Sequence, residues 1–159
     1  EDHYLEMIEK KTGSLLGACA EMPATLVGAD KEVIDNFDKF GRALGIGFQI
    51  HDDLLEIYGK PGGMGKSLGS DIAEGKQTLM VIKARNQFRK EWGEIVGDPG
   101  RIDLMEKIRS FFTEKGIEGE TKSMAQSYFK KARESLEDIS DINRDELNEF
   151  VNLVENRAY

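Results

Sequence analysis

Apolar residues recur at three- and four-residue spacing along almost the whole chain, and no run of alternating β-branched residues between turn signals is long enough for a strand. The pattern predicts an all-helical protein. A first helix is expected over residues 4–20, with Leu5, Ile8, Leu15, Leu16 and Cys19 on its apolar side, ended by Pro23 and the Gly28-Ala29-Asp30 break. A second, long helix is expected over 31–58. Phe37, Phe40, Leu44, Gly47, Leu54 and Leu55 fall on one side of it and form the stripe that anchors it. The glycine-rich stretch 59–69 is the one long loop, and Ser70 or Asp71 can cap a third helix over roughly 72–92. Residues 97–100 read as a turn. Helices near 101–115, 120–139 and 143–158 complete the set, the last capped by Asn143 or Asp141. With no internal repeat and no linker, residues 1–159 are expected to form a single all-helical domain.

Charge narrows the partners. The chain carries 22 Lys and Arg against 30 Asp and Glu, a formal charge of -8. Nucleic acid or an anionic membrane needs a clustered positive field, and no long Lys/Arg block is present. No nucleic-acid partner is expected. One cysteine, Cys19, cannot bridge within the chain, which removes a disulfide scaffold and makes a reducing cytoplasm the expected location. No run of about 18 apolar residues occurs, so no integral membrane segment is expected. The chain opens without Met and already in helical rhythm, and a missing upstream segment is the expectation.

Candidate chemistry concentrates between Gly45 and Glu56. At 3.6 residues per turn, Gln49, Asp52, Asp53 and Glu56 share an arc of roughly 100°, opposite the apolar stripe. Like charges at these spacings cost about 0.2–0.5 kcal/mol each on an exposed helix, a small penalty that a hard divalent cation would reverse. Mg2+ fits best, since it takes one or two carboxylates and keeps water and substrate phosphates as its other ligands. A plain solvated acidic face is the alternative. Gly65-Lys66-Ser67 imitates the end of a nucleotide-binding P-loop, but position 60 is Lys rather than Gly and the segment follows a helix, so that reading is rejected. What remains is a loop carrying Lys60 and Lys66, followed by Asp71 and Lys76. Each Lys is a point charge suited to phosphate oxygens. Gly41 and Gly45 stand mid-helix at a cost of about 1 kcal/mol each against Ala, which predicts close approach of a neighbouring helix or a substrate. His51 falls within the apolar stripe and reads as a core histidine; His3 and Cys19 have no role.

These residues match a family. Lys11-Thr12-Gly13-Ser14-Leu15, then Gly45-Ile46-Gly47-Phe48-Gln49-Ile50-His51-Asp52-Asp53-Leu54-Leu55-Glu56-Ile57, then Gly65-Lys66-Ser67-Leu68-Gly69-Ser70-Asp71-Ile72 with Glu74-Gly75-Lys76-Gln77-Thr78 stand in order and at the right spacing. The chain resembles the C-terminal half of a trans-isoprenyl diphosphate synthase, of the polyprenyl synthetase family that makes geranyl, farnesyl and geranylgeranyl diphosphate. Beyond about residue 84 only helical pattern and the position of Arg157 carry the likeness.

The resemblance implies an isoprenoid synthase-type helical bundle and a prenyltransferase activity dependent on Mg2+. In that family the allylic diphosphate is gripped by Mg2+ ions and ionises at its C1 to oxygen bond. The allylic cation is attacked by the double bond of isopentenyl diphosphate, and loss of a proton restores an alkene. Metals neutralise charge on the departing diphosphate, and a dry apolar cavity protects the cation from water. Carried over, the resemblance implies Asp52 as a Mg2+ ligand with Asp53 and Glu56 supporting it directly or through water. Lys66 and Lys76 would clamp the diphosphate, and Asp71 would support the metal shell or orient Lys66. Lys11, Thr12 and Gln49 would stabilise the cation near the reacting carbon.

Two departures matter. Glu56 replaces the usual third Asp of the downstream motif, and no upstream Asp-Asp-x-x-Asp motif or arginine pair occurs anywhere in the chain. The expectation is therefore a fragment of a complete synthase that does not catalyse condensation alone. The competing reading is a non-catalytic subunit that binds a catalytic partner. A terpene cyclase would want Asn/Asp-x-x-Ser/Thr-x-x-x-Glu, and Glu56 stands where Ser or Thr is needed. With half the bundle missing, the helices beginning near Tyr4 and Lys31 should expose apolar faces, and the chain should self-associate as a homo-oligomer such as a dimer.

Overall fold

The computed structural model describes residues 1–59, 72, 75–97, 102–140 and 142–157. Among these, every regular element is helical: α1 Asp2–Ile8, a π-helical stretch Glu9–Gly13, α2 Ser14–Leu26, α3 Lys31–Tyr58, α4 Leu79–Gln87, α5 Arg89–Val96, α6 Leu104–Glu114, α7 Ile117–Glu137 and α8 Arg144–Glu155. The long helix has its expected bounds. Lys60, Lys66, Ser70, Asp71, Asp141 and most of the expected turn 97–100 lie outside the described residues.

Three expectations are corrected. Pro23 sits inside α2 rather than ending the helix. The carbonyl that loses its partner belongs to Cys19, an exposed residue, where water can satisfy it. The helix stops instead at Gly28, whose φ of 71° only glycine adopts cheaply. The buried side of this first stretch is Tyr4, Ile8, Gly13, Gly17 and Ala24, while Leu15 is 66 % exposed and Cys19 is exposed. A π turn winds more residues per turn than an α-helix, so the stripe extrapolated from the α-helical period slips beyond residue 9. The expected third helix starts at Leu79 and breaks at Phe88, where φ −132° and ψ 42° separate α4 from α5. Thr78 is its N-cap, accepting from the Val81 amide at 3.5 Å.

The chain divides into two compact units. One contains residues 2–51 and 124–157. Its buried side chains include Ile8, Phe40, Leu44, Ile46 and Ile50 with Phe129, Leu136, Ile139 and Val151. Here α2 crosses α3 on glycine. A Cβ on Gly41 would lie 2.7 Å from the Gly17 Cα and closer still to the Leu16 carbonyl oxygen. Gly41 and Gly45 therefore admit a neighbouring helix, as their mid-helix positions suggested.

The other unit contains Glu1 and residues 52–123. Leu54 and Ile57 from the end of α3 pack with Met80, Ala84, Trp92, Ile108, Phe112 and Ile117. Trp92 stacks on Phe112 with centroids 5.4 Å apart, and Phe88 meets Phe111 edge to face at 5.9 Å. Arg109 Nε donates to the Ile57 carbonyl at 2.6 Å, satisfying one of the orphan acceptors in the last turn of α3. Buried Lys83 is held between Glu120 at 2.7 Å and Glu1 at 3.3 Å.

Met7, Leu15, Met22, Leu26 and Val27 are exposed along residues 2–27, with Val27 at 82 %. The expected apolar face is present on the first helical stretch. On α3 it is not: no large apolar side chain of that helix is exposed among the described residues.

Candidate functional site

The π-helical turn is the most unusual local structure. Ser14 closes it with a backbone N–H to the Glu9 carbonyl, a five-residue span, and the Ser14 hydroxyl donates to the same carbonyl at 3.2 Å. Single π turns of this kind recur at functional sites. The turn rests on α3 because Gly45 has no side chain: a Cβ there would be 2.8 Å from the Gly13 Cα and 3.2 Å from the Thr12 carbonyl carbon. One helical turn further along α3 stands Gln49. The Thr12 hydroxyl donates to its Oε1 at 3.3 Å, across 37 residues of sequence. Lys11, the neighbour of Thr12, is exposed. Two residues paired only by resemblance are thus in direct contact.

Arg42 fastens this turn. Its Nε reaches the two Asp38 carboxylate oxygens at 2.9 and 2.7 Å, while Nη1 donates to Ser14 Oγ at 3.1 Å and to Glu9 Oε1 at 3.4 Å. The hydrogen bond to Asp38 raises the Arg42 pKa above the ordinary guanidinium value, and burial opposes it. Sequence reasoning missed Arg42 as a positioning residue. Its only local signal is the Asp38–Arg42 spacing of four on a helix.

In the other unit, Asp52, Asp53 and Glu56 occupy one turn of α3. Asp53 is 8 % exposed, and Asp52 and Glu56 are half-buried. Among the described residues no three carboxylate, imidazole or thiolate groups gather closely enough to hold an ion by themselves. The donor set still fits Mg2+, because that ion needs only one or two protein carboxylates when phosphates and water supply the rest. Lys76 is exposed just before Thr78, following Gly75 at φ 75°. Lys66 and Asp71 lie outside the described residues. His51 is half-buried, its ring edge-on to Phe129 at 6.2 Å, consistent with a packing role. The Arg157 guanidinium lies 4.5 Å from the centre of the Phe48 ring, a cation–π contact that sequence spacing did not reveal.

Comparison with known proteins agrees with this architecture. The family model for polyprenyl synthetase matches residues 1–114. The chain belongs to the polyprenyl synthetase family. It is 43 % identical over 141 residues to a geranylgeranyl pyrophosphate synthase of Geoglobus acetivorans, covering 89 % of this chain and 44 % of the relative. It is 40 % identical over 144 residues to a geranylgeranyl diphosphate synthase of Methanosarcina mazei, covering 89 % and 43 %. The crystal structure of a decaprenyl diphosphate synthase from Rhodobacter capsulatus matches with TM-score 0.85 and 32 % identity, over 99 % of this chain and 50 % of that one. The chain spans about half the length of the relatives it matches. No helix among the described residues is long and apolar enough to cross a membrane.

Proposed function

We propose that this chain is the C-terminal part of a chain-elongating prenyltransferase that condenses isopentenyl diphosphate with an allylic diphosphate, giving short-chain products such as farnesyl or geranylgeranyl diphosphate. The observation that carries the reading is the Thr12–Gln49 contact, built by a π turn on a glycine seat. It lies within residues 1–114, which the polyprenyl synthetase family model matches.

In this reading the carbonyl and side-chain oxygen atoms of Lys11, Thr12 and Gln49 would stand near the reacting carbon, so that positive charge developing there meets fixed dipoles. Asp52, with Asp53 and Glu56, would hold Mg2+, which when bound neutralises charge on the departing diphosphate. Lys66 and Lys76 would orient the diphosphate, and Asp71 would support the metal shell or orient Lys66. The 159 residues carry one aspartate-rich motif, and the chain alone is inactive for want of a second. Its exposed face at Met7, Leu15, Met22, Leu26 and Val27 is the surface that an N-terminal half or another copy would cover. A cytoplasmic homo-oligomer belongs to the same reading.

The test is incorporation of labelled isopentenyl diphosphate with geranyl diphosphate and Mg2+. The full-length protein should elongate, Asp52→Ala should lower kcat by roughly 100-fold or more, and the 159-residue chain should be silent until the N-terminal half is supplied. Full turnover by the Asp52→Ala protein would overturn the metal assignment. Elongation by the 159 residues alone would overturn the half-site reading. Silence of the full-length protein would favour a non-catalytic partner subunit.

A further inference from the structure

The carboxylate turn stands at an electrostatically unfavourable end of α3. A helix C-terminus carries partial negative charge and unpaired carbonyls, and Asp52, Asp53 and Glu56 crowd this one with no basic residue in its last turn. Repulsion and missing donors both favour fraying there. The side chains of Leu54 and Ile57, 4 % and 1 % exposed, anchor one face of the stretch in the core of residues 52–123. The backbone end needs a different hold.

Arg109, half-buried on α6, supplies it from 52 positions away. Its Nε donates at 2.6 Å to the carbonyl of Ile57, the residue after Glu56. Tyr58 returns the contact, its hydroxyl reaching the Arg109 carbonyl at 3.4 Å. Each side chain thus grips the other's backbone, and the end of α3 cannot unwind without releasing both. The Tyr58 hydroxyl also lies 3.4 Å from Thr113 Oγ1, and Thr113 donates in turn to Glu118 at 2.6 Å. The guanidinium adds what a neutral donor could not: positive charge beside a negatively charged helix end.

We infer that Arg109 is a positioning residue for the carboxylate turn: it keeps the end of α3 helical, and Asp52, Asp53 and Glu56 in register, before any ion arrives. The inference rests on the proposed assignment of these carboxylates to Mg2+ and deepens it. That ion demands near-ideal octahedral geometry, and a turn ordered only part of the time binds it more weakly in that proportion. A bond that served overall stability alone would act differently. Its loss would loosen the whole unit evenly and leave the demand for Mg2+ unchanged.

The test compares Arg109→Met, which keeps the stem and removes the donor, with Ile108→Val, which trims the same helix inside the core without touching the tie. Hydrogen exchange in the absence of metal is the first readout. Amides of residues 55–59 should exchange about tenfold faster in Arg109→Met, the loss expected for one hydrogen bond from a charged donor. In Ile108→Val they should stay within about threefold of the parent, because a helix end opens locally, and Arg109→Lys should recover part of the protection. Elongation by the full-length protein is the second readout. Arg109→Met should need about fivefold more Mg2+ for half its maximal rate, with kcat at saturating Mg2+ within about twofold of the parent. Equal exchange in the two variants, or an unchanged Mg2+ requirement, would overturn the inference. Full turnover by Asp52→Ala would overturn the metal reading instead, and the exchange comparison, which uses no metal, judges the tie by itself.

Discussion

The two units are held by opposite kinds of packing. In the unit of residues 2–51 and 124–157, α2 and the π turn before it meet α3 through absent side chains: Gly17, Gly41 and Gly45 let backbone touch backbone. In the unit of residues 52–123, large rings fill the interior, with Trp92, Phe111 and Phe112 in mutual contact. The first arrangement is intolerant of added atoms, because a backbone cannot rotate aside as a side chain can. The second is intolerant of lost atoms, because neighbouring rings relax only partly into a void. The clearance at Gly45 also lets the π turn lie on α3, where the Thr12 hydroxyl reaches Gln49. Volume restraint there sets the Thr12–Gln49 contact; volume filling in the other unit supplies stability.

The strongest way to break the contrast is Gly41→Val. Its branches would enter the Leu16 and Gly17 backbone, and we expect a loss above about 5 kcal/mol, beyond ordinary overpacking, read as absence of a cooperative thermal transition. Phe112→Ala attacks the other unit from the opposite direction and should cost about 3–5 kcal/mol, measured by urea denaturation. A smaller cost for Phe112 than for an exposed residue would discredit the cluster as that unit's main support. Arg42→Met removes the fastening of the π turn while keeping its stem; about 1–2 kcal/mol is expected for the lost charged hydrogen bonds. In the full-length protein it should also lower kcat more than it raises KM, because it acts by positioning Thr12.

Gly93→Ala sharpens the comparison by changing sign. A Cβ there meets nothing within 4 Å, so the helix should gain about 0.5–1 kcal/mol. Any destabilisation would contradict the open position. The smallest effect belongs to Tyr58→Phe, about 0.5 kcal/mol near neutrality, since its hydroxyl contacts to the Arg109 carbonyl and Thr113 are 3.4 Å long. Burial pushes the Tyr58 phenol from 10.0 up to about 12. A raised pKa favours the protonated, folded form: its contribution is complete below about pH 10 and is lost as pH rises through about 12. The parent should therefore lose stability more steeply than Tyr58→Phe in urea melts between pH 9 and 12.

Much of this was readable residue by residue. The bounds of α3 follow from its uninterrupted apolar stripe, and Phe40, Leu44, Gly47 and Leu54 are buried as that stripe requires. Gly41 and Gly45 advertised a close approach by standing where helix propensity argues against them. The pairing of Thr12 with Gln49 was legible only through the family's blocks, because no local rule links residues 37 positions apart. The break at Phe88 was not legible at all, because the apolar spacing over 72–92 reads as one continuous helix.

The sequence by itself determined the helical class, the long acidic helix and the cluster of candidate carboxylates on it, because periodicity, glycine placement and side-chain chemistry are local properties. Tertiary structure decided the π turn, the tolerance of Pro23 within α2, the break at Phe88 and the partners of Arg42 and Lys83. Each of these depends on what a distant segment brings within a few ångströms, and backbone geometry yields to such contacts when the local preference is worth only about a kcal/mol per residue.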